Sequence, residues 1–176
     1  MDIKEFLELS VGNWFSQRTG YHLEQEKSEN SKSDISIERL PQEDPEVVKL
    51  CELYQINPSV TLGGVKTSWD NSVDWGKAKQ RGSTLIVLLP QVNNYQAGKL
   101  LRTRGNLQPQ RVTGRYILGN DEALSLIVEE GPNYFEERLW FASPNLRLRT
   151  SLFRHSGGFS TTAFYSEIRK LAPKTN

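Results

Sequence analysis

The chain has 176 residues, 22 of them basic and 21 acidic, for a formal net charge of +1. That balance lacks the basic excess of a nucleic-acid binder. No run of about 18 apolar residues offers a membrane helix, and the opening Met1-Asp2-Ile3-Lys4-Glu5 is charged where a signal peptide would be apolar. A lone cysteine, Cys51, excludes a disulfide-stapled secreted domain and points to a reducing, cytosol-like compartment. With only His22 and His155 beside it, no zinc-ligand pattern exists. A Cys–His catalytic pair would need the fold to join distant residues, and a buried, inert thiol is the expected state of Cys51. Residues 1–176 read as one domain, large enough to bury roughly 70% of the unfolded surface.

Residues 1–9 read as a short helix, with Ile3, Phe6 and Leu7 on one face. Residues 13–25 are rich in Trp, Phe, Thr and Tyr and read as a long first strand. The polar residues 26–33 are expected to form a hairpin loop, and 34–40 alternate as a strand with Ile35 and Ile37 on one side. The period then changes. Residues 45–56 set Val47, Val48, Leu50, Cys51 and Tyr54 at helical steps behind an Asp44 N-cap and Pro45, and Pro58 closes this second helix. Strands follow at 61–70, 83–90, 95–103, 110–118, 122–130, 133–142, 146–154 and 159–169. Turn signals such as Gly119-Asn120-Asp121, Gly131-Pro132, Ser143-Pro144-Asn145 and Gly157-Gly158 separate them. Short, evenly spaced strands indicate a sandwich or an up-and-down barrel. Closure into a barrel removes the exposed edges, and a barrel of eight or more strands can enclose a small ligand. The fold class expected is mainly β, an antiparallel barrel of about ten strands with an N-terminal helix and a second near 44–56.

The densest chemistry lies between Glu137 and Ser151. With Ser143-Pro144-Asn145 as a three-residue loop, Ala142 would pair with Leu146, Leu139 with Arg149 and Glu137 with Ser151. Alternation then puts Glu137, Arg147 and Arg149 on one face with Phe135, Leu139 and Phe141. If that face points inward, its arginines cannot stay unpaired. Glu137 would satisfy part of one, and the remaining positive charge would suit a flat or greasy ligand bearing carboxylates. On a solvated outer face the same residues would be cross-strand ion pairs worth at most about 1 kcal/mol each. Parity alone leaves both readings open, because the opposite face (Trp140, Leu146, Leu148, Leu152) is also apolar.

Two further groupings stand out. Gly12-Asn13-Trp14 resembles the opening motif of lipocalin-type barrels, in which the Trp plugs the floor beneath a basic side chain from near the chain end. Arg169 is placed to be that partner by cation–π stacking, although an ordinary buried Trp would also explain the motif. Ser68-Trp69-Asp70 and Val73-Asp74-Trp75 put two indoles and two carboxylates together near a strand end. Trp69 and Trp75 would stack on a conjugated ligand at a cavity mouth, and Asp70 would hydrogen-bond pyrrole nitrogens or exchange protons. The alternative is a polar turn anchored by packed tryptophans.

The run from Glu137 through Arg138-Leu139-Trp140-Phe141-Ala142-Ser143-Pro144-Asn145-Leu146-Arg147-Leu148-Arg149-Thr150 to Ser151 is similar to the signature of the S-type phycobiliprotein lyases, the CpcS/CpeS family. Gly12-Asn13-Trp14-Phe15-Ser16-Gln17-Arg18-Thr19, Gly157-Gly158-Phe159-Ser160 and Ser166-Glu167-Ile168-Arg169 resemble its two ends. The resemblance implies a lipocalin-like barrel, similar to fatty-acid-binding proteins, that binds an open-chain tetrapyrrole, phycocyanobilin or phycoerythrobilin, as substrate. No permanently bound cofactor is implied. The bilin is delivered to a cysteine of a phycobiliprotein alpha or beta subunit, in a cyanobacterial cytosol or a plastid stroma. Arg147 and Arg149 would clamp the propionates, Glu137 would pair with an arginine or protonate the pyrroles, and Ser151 would add a hydrogen bond. Self-association through an exposed strand face is compatible with such a barrel. The competing expectations are a passive carrier of an apolar anion such as a fatty acid, and a purely structural module, which the charged alternating face disfavours.

Overall fold

Asp2 accepts a hydrogen bond from the Glu5 backbone N–H, and the Glu5 carboxylate accepts one from the Asp2 N–H. This capping box starts helix α1 (Ile3–Ser10), whose Ile3, Phe6 and Leu7 are buried. Helix α2 (Pro45–Leu53) begins behind the Asp44 N-cap with Pro45 in its first turn, as expected. It ends earlier than the sequence suggests, because Gln55 turns to positive φ (56°).

The remaining chain is strand, in a computed structural model that describes residues 1–103, 112–155, 157–158 and 160–171. β1 (Gly12–His22) and β2 (Lys27–Leu40) form the first hairpin. After α2 and a short 3-10 turn (Pro58–Val60) come β3 (Gly64–Asp70), β4 (Arg81–Gln91), β5 (Asn94–Arg102), β6 (Val112–Leu118), β7 (Leu124–Glu130), β8 (Asn133–Ser143), β9 (Leu146–Arg154) and β10 (Ser160–Arg169). Each strand pairs antiparallel with its sequence neighbours, and β1 pairs with β10, closing a ten-stranded barrel. Gln110, Arg111 and Phe159, which the expected strands include, lie outside the described residues.

Three expectations are corrected. Of residues 26–33 only Glu26 lies in the turn: β2 begins at Lys27 and runs through the rest, with Tyr21 opposite Ser28 and Gln17 opposite Lys32. Ladder hydrogen bonds are made by the backbone, so a polar run pairs as well as an apolar one when little of it must be buried. Residues 61–63 precede β3 rather than belong to it, because Gly63 takes φ +76° beside the Leu40 carbonyl. The β8–β9 register matches Leu139 with Arg149 and Glu137 with Ser151 as expected, but shifts between Phe141 and Ser143. Ser143, not Ala142, therefore faces Leu146.

Inward positions of the strands, including Ile37, Val65, Leu100, Leu126 and Leu139, form one core with α1. Helix α2 packs outside, with Val47, Leu50 and Cys51 against Leu85, Val87 and Leu101 of β4 and β5. Cys51 is fully buried in this outer layer, and burial pushes its thiol pKa up. It is a small core hydrophobe, as expected.

Candidate functional site

Trp14 is fully buried, and its indole N–H donates to the Ser10 carbonyl (3.0 Å). The Arg169 guanidinium sits 4.1 Å from the ring centroid and donates to the Val11 carbonyl (2.6 Å) and to that of Leu9. The expected tryptophan–arginine pair is thus present, and the same arginine meets carbonyls at the C-terminal end of α1. Gly12 is required by this closure. Its φ is +128°, and a Cβ there would lie 2.8 Å from Arg169 Nη1.

Above Trp14 the barrel holds a cavity of about 340 Å³, within the usual range for small-molecule sites. Phe6, Leu7 and Ser10 of α1 line it, so the helix lies across the barrel interior. Phe135, Glu137, Leu139, Arg147 and Arg149 line it as well, so the charged face of the β8–β9 hairpin points inward.

Arg147 is 5% exposed, and its Nε lies 2.6 Å from Glu167 Oε2 on β10; Glu167 is fully buried. Arg149 Nη1 is 2.7 Å from Glu137 Oε1, and its Nη2 is 3.1 Å from Glu167 Oε1. Two arginines and two glutamates thus form one chain of charges. Burial works against the charge on both guanidiniums. It lowers the pKa of Arg147, whereas at Arg149 the carboxylates of Glu137 and Glu167 outweigh it and the pKa is raised. Both stay protonated under physiological conditions. Arg147 also lies 5.3 Å from the Trp14 ring centroid, and Arg149 3.7 Å from that of Tyr165.

The chain of charges is incompletely bonded. Arg149 Nε is buried with no hydrogen-bond partner among the described residues. Glu167 Oε1 lies within ion-pair distance of Arg149 yet makes no well-directed hydrogen bond. The attraction holds all the same, because Coulomb attraction depends little on angle.

The expectation of residual positive charge on Arg147 and Arg149 is corrected, because Glu167 supplies a second carboxylate. Further cationic side chains stand elsewhere on the wall. Arg18 of β1 and Arg102 of β5 also line the cavity. Arg18 is bonded to Glu29 and lies 6.0 Å from the Tyr165 ring centroid.

The other expected residues divide. Ser151 sits opposite Glu137 at the next inward position of β9, but is not among the described residues lining the cavity. Trp69 lines it, lying so close to Gly82 that a Cβ there would come 2.3 Å from the indole. Asp70 does not line it. Alternation turns Asp70 to the outer surface, where it pairs with Arg81 (2.8 Å) and accepts from the Ser72 N–H (2.8 Å). Hydrogen bonds from Ser72, then Arg81, hold its carboxyl below the usual range. Trp75 is 92% exposed in the β3–β4 loop and lines no described cavity, so the expected pair of mouth tryptophans reduces to Trp69. Asp74 accepts from the Lys32 N–H (3.0 Å), tying that loop to β2.

Arg18, Arg102, Tyr165 and Glu167 are the cavity residues that sequence reading missed. Two-residue steps from Trp14 reach Arg18, and steps back from Arg169 reach Glu167 and Tyr165, so the first motif already held their positions.

A closed up-and-down barrel with a helix across its interior and an apolar, arginine-bearing cavity defines a calycin-like, small-ligand-binding protein. The chain belongs to the CpeS-like protein family, whose family model matches residues 2–170. It is 47% identical over 169 residues to a chromophore lyase CpcS/CpeS of Thermosynechococcus vestitus, covering 96% of this chain and 93% of the relative. It is 38% identical over 170 residues to a phycocyanobilin lyase subunit CpcS of Picosynechococcus, covering 96% and 86%. Among solved structures, the S-type phycobiliprotein lyase CPES of Guillardia theta superposes with a TM-score of 0.83 at 29% identity, over 98% of this chain and 95% of the other. None of these relatives supports a passive fatty-acid carrier.

Proposed function

We propose that this protein is a phycobiliprotein chromophore lyase. It takes phycocyanobilin or phycoerythrobilin into the barrel and presents ring A to a cysteine of an acceptor alpha or beta subunit, where a thioether forms. The observation that carries this reading is the inward-facing set of four arginines and two glutamates, in a chain whose relatives are named chromophore lyases. A bilin is flat and conjugated and carries two propionates. The apolar wall suits its rings and the guanidiniums suit its carboxylates.

The protein's own residues act mainly by positioning. Arg147 and Arg149 fix one propionate-bearing side, with the unfilled Arg149 Nε as a ready donor. Glu137 orients Arg149, and we assign to the same carboxyl the exchange of a proton with the pyrroles. Trp69 supplies a stacking surface, and the exposed indole of Trp75 is available to a bilin or acceptor at the loop. Ser151 and Asp70 take part only if the bilin reaches past the cavity. Held in one orientation, the bilin is attacked at one carbon and from one face. The reacting thiol comes from the acceptor, since Cys51 is buried on the inner face of α2, against β4 and β5 and outside the cavity. The setting is a cyanobacterial cytosol or a plastid stroma, and no helix is long and apolar enough to cross a membrane among the described residues.

Coexpression with a bilin-synthesising system and an acceptor subunit tests the reading. A mass increase of one bilin on a defined acceptor cysteine, absent when this protein is omitted, is expected. A coloured barrel beside a persistently colourless acceptor overturns it.

A further inference from the structure

Three of the four cavity arginines already have carboxylate partners. Arg147 has Glu167, Arg149 has Glu137 and Glu167, and Arg18 has Glu29. Arg102 has none among the described residues. Among the described residues its guanidinium meets the Phe135 ring, 5.3 Å from the centroid. The neighbouring residues 104–111 contain neither Asp nor Glu. The strands beside it add no charge at its level: Ile86 of β4, paired with Arg102, is apolar and lines the same cavity.

An arginine in an apolar wall is costly unless its donors are met. Arg102 is half-buried and lines the cavity, so its donors reach the open space of the cavity without meeting a protein anion. Its place on the ring is equally telling. From β5 one passes β6, β7 and β8 to reach Arg149 on β9, and β4, β3 and β2 to reach Arg18 on β1. Arg102 thus stands four strands from each, while Arg18 and Arg149 meet over Tyr165.

We propose that Arg102 is an anchor for a ligand carboxylate, on the wall opposite the Arg18–Arg149 side, so that the cavity grips a dianion at two separated points. This rests on the bilin reading and deepens it: one propionate is held on the β9–β1 side and the other by Arg102. Two anchors fix the line along which the chromophore lies across the barrel, which one cannot do.

The test measures binding of phycocyanobilin and of its propionate dimethyl ester to wild type and to Arg102→Gln. Loss of one charge-assisted contact should weaken diacid binding by about tenfold, with the ester changed by less than about twofold. Arg102→Met, which keeps the stem against Phe135, gives the same comparison should Arg102→Gln not fold. Unchanged diacid affinity, or an equal fall for acid and ester, overturns the anchor while leaving the bilin reading intact. A wild-type protein that binds neither compound overturns both.

Discussion

Replacing Arg147 by Ala removes a guanidinium that is 5% exposed and leaves its partner Glu167, fully buried, short of one cation. Breaking a buried ion pair from one side costs about 3–5 kcal/mol. Glu167 keeps Arg149 at 3.1 Å, so the lower end applies, about 3 kcal/mol. For a chain of this length that corresponds to a melting point lower by about 6–12 °C. Urea and thermal unfolding, followed by tryptophan fluorescence, read the change directly. The double variant Arg147→Met/Glu167→Leu leaves Arg149 and Glu137 balanced and should recover a large part of the loss, because replacing both charges removes the stranded one. An Arg147→Ala protein within about 0.5 kcal/mol of wild type would refute the reasoning, since it would mean that Glu167 is not held by this pair. The sequence alone favours Arg147→Ala as a clean functional variant. Its burial means that lost bilin binding must be measured well below the variant's own melting point.

Glu137→Ala is the cleaner probe, because Arg149 keeps Glu167. We expect a cost of about 1–2 kcal/mol together with loss of bilin binding and transfer, and normal chromophore transfer would sink the assignment. Gly12→Ala, forced to φ +128° with its Cβ 2.8 Å from Arg169 Nη1, should destabilise by about 1–3 kcal/mol in chemical denaturation; an unchanged midpoint counts against the closure described. The hydrogen bond from Arg18 holds the Glu29 carboxyl pKa below its ordinary value near 4.5. A depressed folded-state pKa contributes stability above the unfolded value and loses it as pH falls through the folded one. Glu29→Gln should therefore cost under about 1 kcal/mol near neutral pH and nothing once the pH has fallen below the folded-state pKa of Glu29; a difference that persists in strong acid contradicts the linkage.

Ten strands, both helices and the Leu139–Arg149 register are legible in the sequence, because turn residues and period carry them. Which face of a strand points inward is not, since Trp140 and Leu148 are as apolar as Leu139 and Phe135. Trp14 resolves it: once that side chain is the floor, stepping by two along β1 and back from Arg169 along β10 yields Arg18, Tyr165 and Glu167. The same rule excludes Asp70, because Trp69 and Asp70 are adjacent and cannot both face the cavity. Glu167 is the hardest to foresee, since the charge balance of the hairpin arginines depends on a strand that brings its carboxylate from 20 residues beyond Arg147. Residues 27–33 carry no strand signal, because pairing in a ladder needs none from the side chains.

The contacts of Arg169 with Leu9 and Val11 join residues 160 and 158 positions apart. During synthesis, therefore, β1 has no β10 to pair with until residues up to Arg169 have left the ribosome. Until then β1 and β9 present open edges, the kind that recruit other chains. The floor, the cavity and Glu167 all wait on that last strand. A product cut short before β10 would keep the Glu137–Ser151 hairpin intact yet hold no enclosed space at all.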